Sequence, residues 1–137
     1  MANSVSLGGM HATSTHLAPS PRRLLAGVAA LALLAAAVLV IAAQGTGLWQ
    51  FFAFGAAPDL ALLVGAGPGL AKGQLHPRAV GMYNGMHRVW GPLLLAALVA
   101  AGVLGTGFLV GALAWGLHIA IDRVAGYGLR TPDGFGR

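Results

Sequence analysis

Cysteine is absent, and only three of the 137 residues are acidic, against eight lysines and arginines. Without cysteine there are no disulfides, thiolate metal sites or cysteine nucleophiles, so a bound metal needs nitrogen and oxygen ligands. Charge of either sign is also scarce: 8 % of the residues carry it, where soluble domains carry about a quarter. The chain is instead 57 % hydrophobic, with a mean hydropathy of +0.77. Those values indicate an integral membrane protein, with no length left for a soluble catalytic domain. The net charge of +5 does not gather into a patch or stripe. The basic residues punctuate the ends of apolar segments, as membrane topology signals do, which argues against a nucleic-acid partner.

Four apolar spans succeed one another. Residues 1–21 form a polar, Ser/Thr/Gly-rich leader that reads as disordered, with His11 and His16 solvated within it. Residues 24–43 then run without a polar side chain, and at ~1.5 Å per residue twenty helical residues cover ~30 Å, a bilayer core. A cleaved signal has a shorter apolar core, so this segment reads as a retained helix. The second span, about 48–65, opens on Leu48-Trp49 and is interrupted by Pro58 and Asp59. Proline frees a carbonyl that a membrane helix must satisfy elsewhere. The third span is expected over 81–104 and the fourth over 108–125, inside a transmembrane domain of residues 22–128 that ends in a short tail, 129–137. Gly81/Gly85 and Gly107/Gly111 are small-x-x-x-small pairs that suit close helix packing, and Tyr83 and Tyr127 suit an interfacial belt.

Positive charge sets the orientation. Arg22 and Arg23, Lys72 and Arg78, and Arg130 and Arg137 flank the same ends of the four spans, and the other two turns are uncharged. The positive-inside rule then places both termini and the middle loop in the cytoplasm. The fold expected is all-α, a four-helix transmembrane bundle in the inner membrane.

Within these spans the polar residues fall at one depth. Asp59, Asn84, His87, His118 and Asp122 all lie in the cytoplasmic half, at most ~10–12 Å below that surface at helical rise. His118 and Asp122 are i, i+4 neighbours and Asn84 and His87 are i, i+3, so each pair shares a helix face. Helical bundles hold divalent ions between such pairs. Imidazole with carboxylate suits Zn, Mn or Fe, and a metal-bound water can act as a nucleophile near neutral pH. Arg88 and Arg123 sit at the same depth, so Asp59–Arg88 or Asp122–Arg88 pairs within a purely structural network are the alternative. An oligomeric ion- or proton-coupled transporter, with Pro58 breaking a helix beside Asp59, is a third.

The run Ala57-Pro58-Asp59-Leu60, then Tyr83-Asn84-x-x-His87, then Trp115-x-x-His118-x-x-x-Asp122-Arg123-x-x-Gly126-Tyr127-Gly128-Leu129 resembles a bacterial membrane-protein family, domain of unknown function 4260. The resemblance covers about Arg22 to Phe135 and implies small four-helix proteins of the bacterial inner membrane, without implying an activity. A more distant similarity is to membrane-bound metal-dependent hydrolases, which share a Pro-Asp, a His-bearing helix and a late His-x-x-x-Asp in the same order. That likeness implies Asp59, His87, His118 and Asp122 as metal ligands. The second motif here, Asn-Gly-Met-His-Arg, holds one histidine where those hydrolases tend to have more. The expected activity is hydrolysis of a lipid or another phosphate or acyl ester. Asn84 would orient a ligand, Arg88 or Arg123 would hold an anionic group, and Tyr127 would stand at the rim. The bilayer is the expected partner, and self-association into a homo-oligomer is left open.

Overall fold

The computed structural model describes residues 20–136. Most of the expected leader, with His11 and His16, lies outside that range, as does Arg137. Helix α1 is Pro21–Gln44. Helix α2 occupies Leu48–Gly65, α3 Pro77–Met86, α4 Trp90–Ala100 and α5 Gly107–Ala125. Among the described residues there is no sheet, and the one strand-like contact is an isolated bridge between Arg130 and Gly136.

Three helices, α1, α2 and α5, are long and apolar enough to cross a membrane. The segment expected as one continuous span over 81–104 differs. It is split into α3 and α4 by a turn at residues 87–89, and α4 is 11 residues long, ~16 Å at helical rise. Pro92 gives the reason. It has no N–H to continue a helix from α3, but it sits at ease in the first turn of α4, where that N–H would have no partner. Pro58 acts similarly inside α2, where Ala57–Asp59 tightens into a 3-10 turn that meets both α3 and α5.

Helix α5 is central, packing against α1, α2 and α4. Its buried positions are small or branched: Gly107, Val110, Gly111, Ala112, Ala114, Leu117, Ile119 and Ala120. A Cβ on Gly111 would lie 2.7 Å from Phe54, and one on Gly91 2.4 Å from the Trp115 ring, so these glycines set how closely α2 and α4 approach α5. Gly107 and Gly111 thus pack as expected of a small-residue pair. Gly81 and Gly85 do not, because no atom lies within 4 Å of a Cβ built on either. Helix α1 buries Ala37 alone and exposes Leu24, Leu25, Val28, Leu31 and Leu39.

Contacts between helix ends group the charged segments. The Arg23 guanidinium lies against Gly126, 2.6 Å from where a Cβ would stand, so α1 begins where α5 ends. Gly126 has φ +91 and closes α5 in the left-handed conformation that glycine adopts without strain. At the same end, the Leu75 N–H donates to the Gly134 carbonyl at 2.9 Å. At the opposite end, Gly47 meets Val110 and Gly107 meets Gln50 and Thr46.

Candidate metal centre

Four side chains from α2, α5 and the α3–α4 turn converge at the end of the bundle that carries the basic residues. The 3-10 turn at Pro58 swings Asp59 toward α5. His87 is the first residue past α3, and His118 and Asp122 lie one turn apart on α5. His87 Nε2 is 3.2 Å from Asp122 Oδ2, 3.4 Å from His118 Nε2 and 3.7 Å from Asp59 Oδ1. His118 Nε2 is 3.6 Å from Asp59 Oδ1 and 3.7 Å from Asp122 Oδ2. Asp59, His87 and His118 form a group whose donor atoms could hold a metal ion, and Asp122 stands beside the two histidines.

The His87 ring is fixed from behind. Its Nδ1 lies 2.9 Å from the Tyr83 carbonyl, which can only accept, so Nδ1 carries the hydrogen and the Nε2 lone pair of the neutral ring is directed at the carboxylates. Tyr83 stacks on the same ring, with centroids 3.9 Å apart, and the Arg130 guanidinium lies over the Tyr83 ring, 5.0 Å from its centroid. Tyr83 is therefore buried and does not belong to an interfacial belt. His87 is buried, while the Asp59 side chain is 51 % exposed. The site thus has a closed back and an open front.

His87 Nε2 faces the Asp122 carboxylate at 3.2 Å, a contact that either a proton on Nε2 or a cation bound between the two would satisfy. Among the described residues every ion pair joins Asp59 or Asp122 to His87 or His118, so the Asp59–Arg88 and Asp122–Arg88 pairs that the sequence allows are not formed. Arg123 instead donates to two backbone carbonyls, those of Tyr127 at 2.8 Å and His87 at 3.1 Å. Trp115 donates to the Met86 carbonyl at 2.7 Å. Two side chains of α5 thus satisfy carbonyls at the break between α3 and α4, as a buried helix end requires.

Asn84 holds the C-terminal segment. Its amide donates to the Arg130 carbonyl at 2.9 Å and its oxygen accepts from the Arg130 N–H at 2.7 Å. Arg130 in turn donates to the carbonyls of Gly73 and Gly134. A cavity of about 340 Å³ in front of the site is lined by Asp59, Leu62, Tyr83, Asp122, Tyr127 and Arg130. Tyr127 is thus at the rim, and Arg88 lies on a different cavity. The cation that does face the carboxylate pocket is Arg130, which in the sequence alone is no more than a topology signal. Its position directly after Gly126-Tyr127-Gly128-Leu129 is the available clue.

The sequence pattern of the family described as Domain of unknown function (DUF4260) matches residues 23–137. The chain belongs to that family. No curated protein and no solved structure matches it. For this DUF4260 protein the guide to function is therefore the geometry of the site itself.

Proposed function

We propose that this membrane protein is a metal-dependent hydrolase whose ion is held by Asp59, His87, His118 and Asp122, acting on a lipid or another phosphate or acyl ester at the cytoplasmic headgroup layer. The observation that carries this reading is the set of donor separations. Ligands at ~2.0–2.2 Å from a tetrahedral ion stand ~3.3–3.6 Å from one another; the Asp59, His87 and His118 donors lie 3.4 to 3.7 Å apart, while Asp122 approaches the two histidines at 3.2 and 3.7 Å but falls outside that group of three. The His87 tautomer, set by the Tyr83 carbonyl, is the one a ligating imidazole needs. A divalent ion there would supply Lewis-acid polarisation and a nucleophile near neutral pH. The protein's own groups do the rest: the half-open pocket admits an ester, and Arg130 and Tyr127 at its rim suit an anionic group. Asn84 acts by tying Arg130 to α3. The segment α3–α4 completes a fourth crossing, which keeps both termini on the cytoplasmic side with Arg22, Arg23, Lys72, Arg78 and Arg130.

A shared proton meets the same need for positive charge, and the 3.2 Å His87–Asp122 contact favours that second reading, a structural interhelical network without metal. Elemental analysis of protein purified in mild detergent, without chelator or tag histidines, separates the two. Near-stoichiometric zinc, manganese or iron in the parent and its loss in Asp122→Asn is the expected result. No metal in the parent after supplementation would leave the network reading and remove the hydrolase.

A further inference from the structure

A second cavity, larger than the first, lies on the other side of His87. It measures about 550 Å³, is lined by α1, α4 and α5, and has Arg88 and Arg123 among its walls with no acidic residue. From Leu109 to Arg123 it follows α5 for fourteen residue steps (123 − 109), ~21 Å at helical rise. The floor is made of small residues, Ala112, Gly116 and Ala120, where longer side chains would fill the space. The two arginines stand at one end only, the end where Arg23 meets Gly126. An apolar channel of leaflet depth with cations confined to its headgroup end matches one kind of molecule.

We infer that this groove binds an anionic phospholipid, with an acyl chain along α5 and its phosphate held by Arg88 and Arg123. Charge complementarity selects the occupant. A second copy of the chain would have to bring a carboxylate to the arginines, but Asp59 and Asp122 face the opposite cavity and Asp133 lies in the C-terminal segment. Arg123 has donors left for a phosphate: two of its five N–H groups are engaged with the Tyr127 and His87 carbonyls. Arg88 is exposed, its guanidinium makes no hydrogen bond to another of the described residues, and it is a fork of the kind that binds phosphate in two-pronged fashion. The inference stands on the groove alone and does not depend on a metal at the neighbouring site, although a lipid seated here would place its headgroup against the backbone of the His87 turn.

Native mass spectrometry of the full chain, released from nanodiscs containing equal phosphatidylglycerol and phosphatidylcholine, tests it. The parent should retain one phosphatidylglycerol in preference to phosphatidylcholine. Arg88→Ala, which removes an exposed side chain, should lower that preference at least about tenfold, the scale of a charged hydrogen bond. Arg123→Ala also frees the His87 carbonyl and is a poor first choice, so the second variant is Ala96→Phe, which narrows the groove from α4. It should lose retained lipid of both kinds while keeping its melting temperature within a few degrees. Equal retention of the two lipids by the parent would overturn the inference, as would unchanged phosphatidylglycerol retention in both variants. A dimer that survives release without bound lipid would overturn it in favour of a second copy.

Discussion

Helices α1 and α5 are both long enough to cross a bilayer, yet they differ in the direction opposite to that of a soluble protein. Over its most apolar window α1 has a mean hydropathy of 2.9 and is 11 % buried, whereas α5 has 1.4 and is 39 % buried. In water the more apolar helix would be the inner one. In lipid, apolar side chains gain nothing from leaving the solvent, and close packing of small residues with interhelical polar contacts decides what lies inside. Helix α5 has both: glycines and alanines against α2 and α4, and His118, Asp122, Trp115 and Arg123 reaching to neighbouring elements. Helix α1 offers leucine and valine to the surroundings.

The largest effect that would sharpen this contrast is on the site. His118→Ala removes one of the four converging donors, and metal affinity should fall by more than the ~10–100-fold typical of changes to groups that merely orient a ligand. Competition with a fluorescent zinc chelator measures it. A variant with parental affinity would show that His118 is a bystander on a helix chosen for packing alone.

A packing test comes next. A side chain at Gly111 meets Phe54 at 2.7 Å, so Gly111→Val overfills the α2–α5 contact and should cost about 1–3 kcal/mol, read as a lower melting temperature in detergent. If Gly111→Val melts like the parent, α2 and α5 are not in the close contact that the central role of α5 requires.

A third effect, more local than the packing one, concerns the C-terminal segment, which unlike α1 and α5 has no helix of its own. Beyond α5 the chain returns to α3 and the 66–76 loop. It is held there by Asn84 and by Gly134, where φ is +94 and a Cβ would stand 1.8 Å from the Leu75 carbonyl oxygen. Asn84→Ala removes two hydrogen bonds to Arg130, each worth about 0.5–1.5 kcal/mol. Hydrogen exchange across residues 130–136 should rise while that of α5 stays unchanged. Unaltered exchange would mean that Gly134 and Gln74, whose amide donates to the Asp133 carbonyl, suffice to hold the segment.

These elements also mark how far sequence reasoning reaches. The long apolar helices are legible because length and composition alone specify a membrane span, and Pro21–Gln44, Leu48–Gly65 and Gly107–Ala125 have both. The grouping of Asp59, His87 and His118 is legible because antiparallel helices bring residues at similar distances from their basic ends to similar depth. The break at His87 is not, since hydropathy places Pro92 inside a span when it opens a new helix. Nor is the role of Arg130. Hydropathy and periodicity describe helix faces, whereas a glycine-rich segment after the last helix folds through hydrogen bonds of its backbone and of the Arg130 side chain to Asn84, Gly73 and Leu75 that have no periodic signature.

The smallest expected effect is the sharpest test of α1. Leu31 is 70 % exposed, and in a bilayer its neighbours are acyl chains whether or not the protein is folded. Leu31→Ala therefore removes no burial that folding created, and stability should change by less than about 0.5 kcal/mol. Insertion should survive as well: at the centre of a span leucine contributes only about −0.3 to −0.6 kcal/mol, a small part of what a helix with hydropathy 2.9 brings. The same substitution at a buried position in water would cost ~2–5 kcal/mol, so a null result is informative. A melting temperature lowered by many degrees would mean that the outer face of α1 is covered after all. A concentration dependence of that loss would identify the cover as a second copy of the chain.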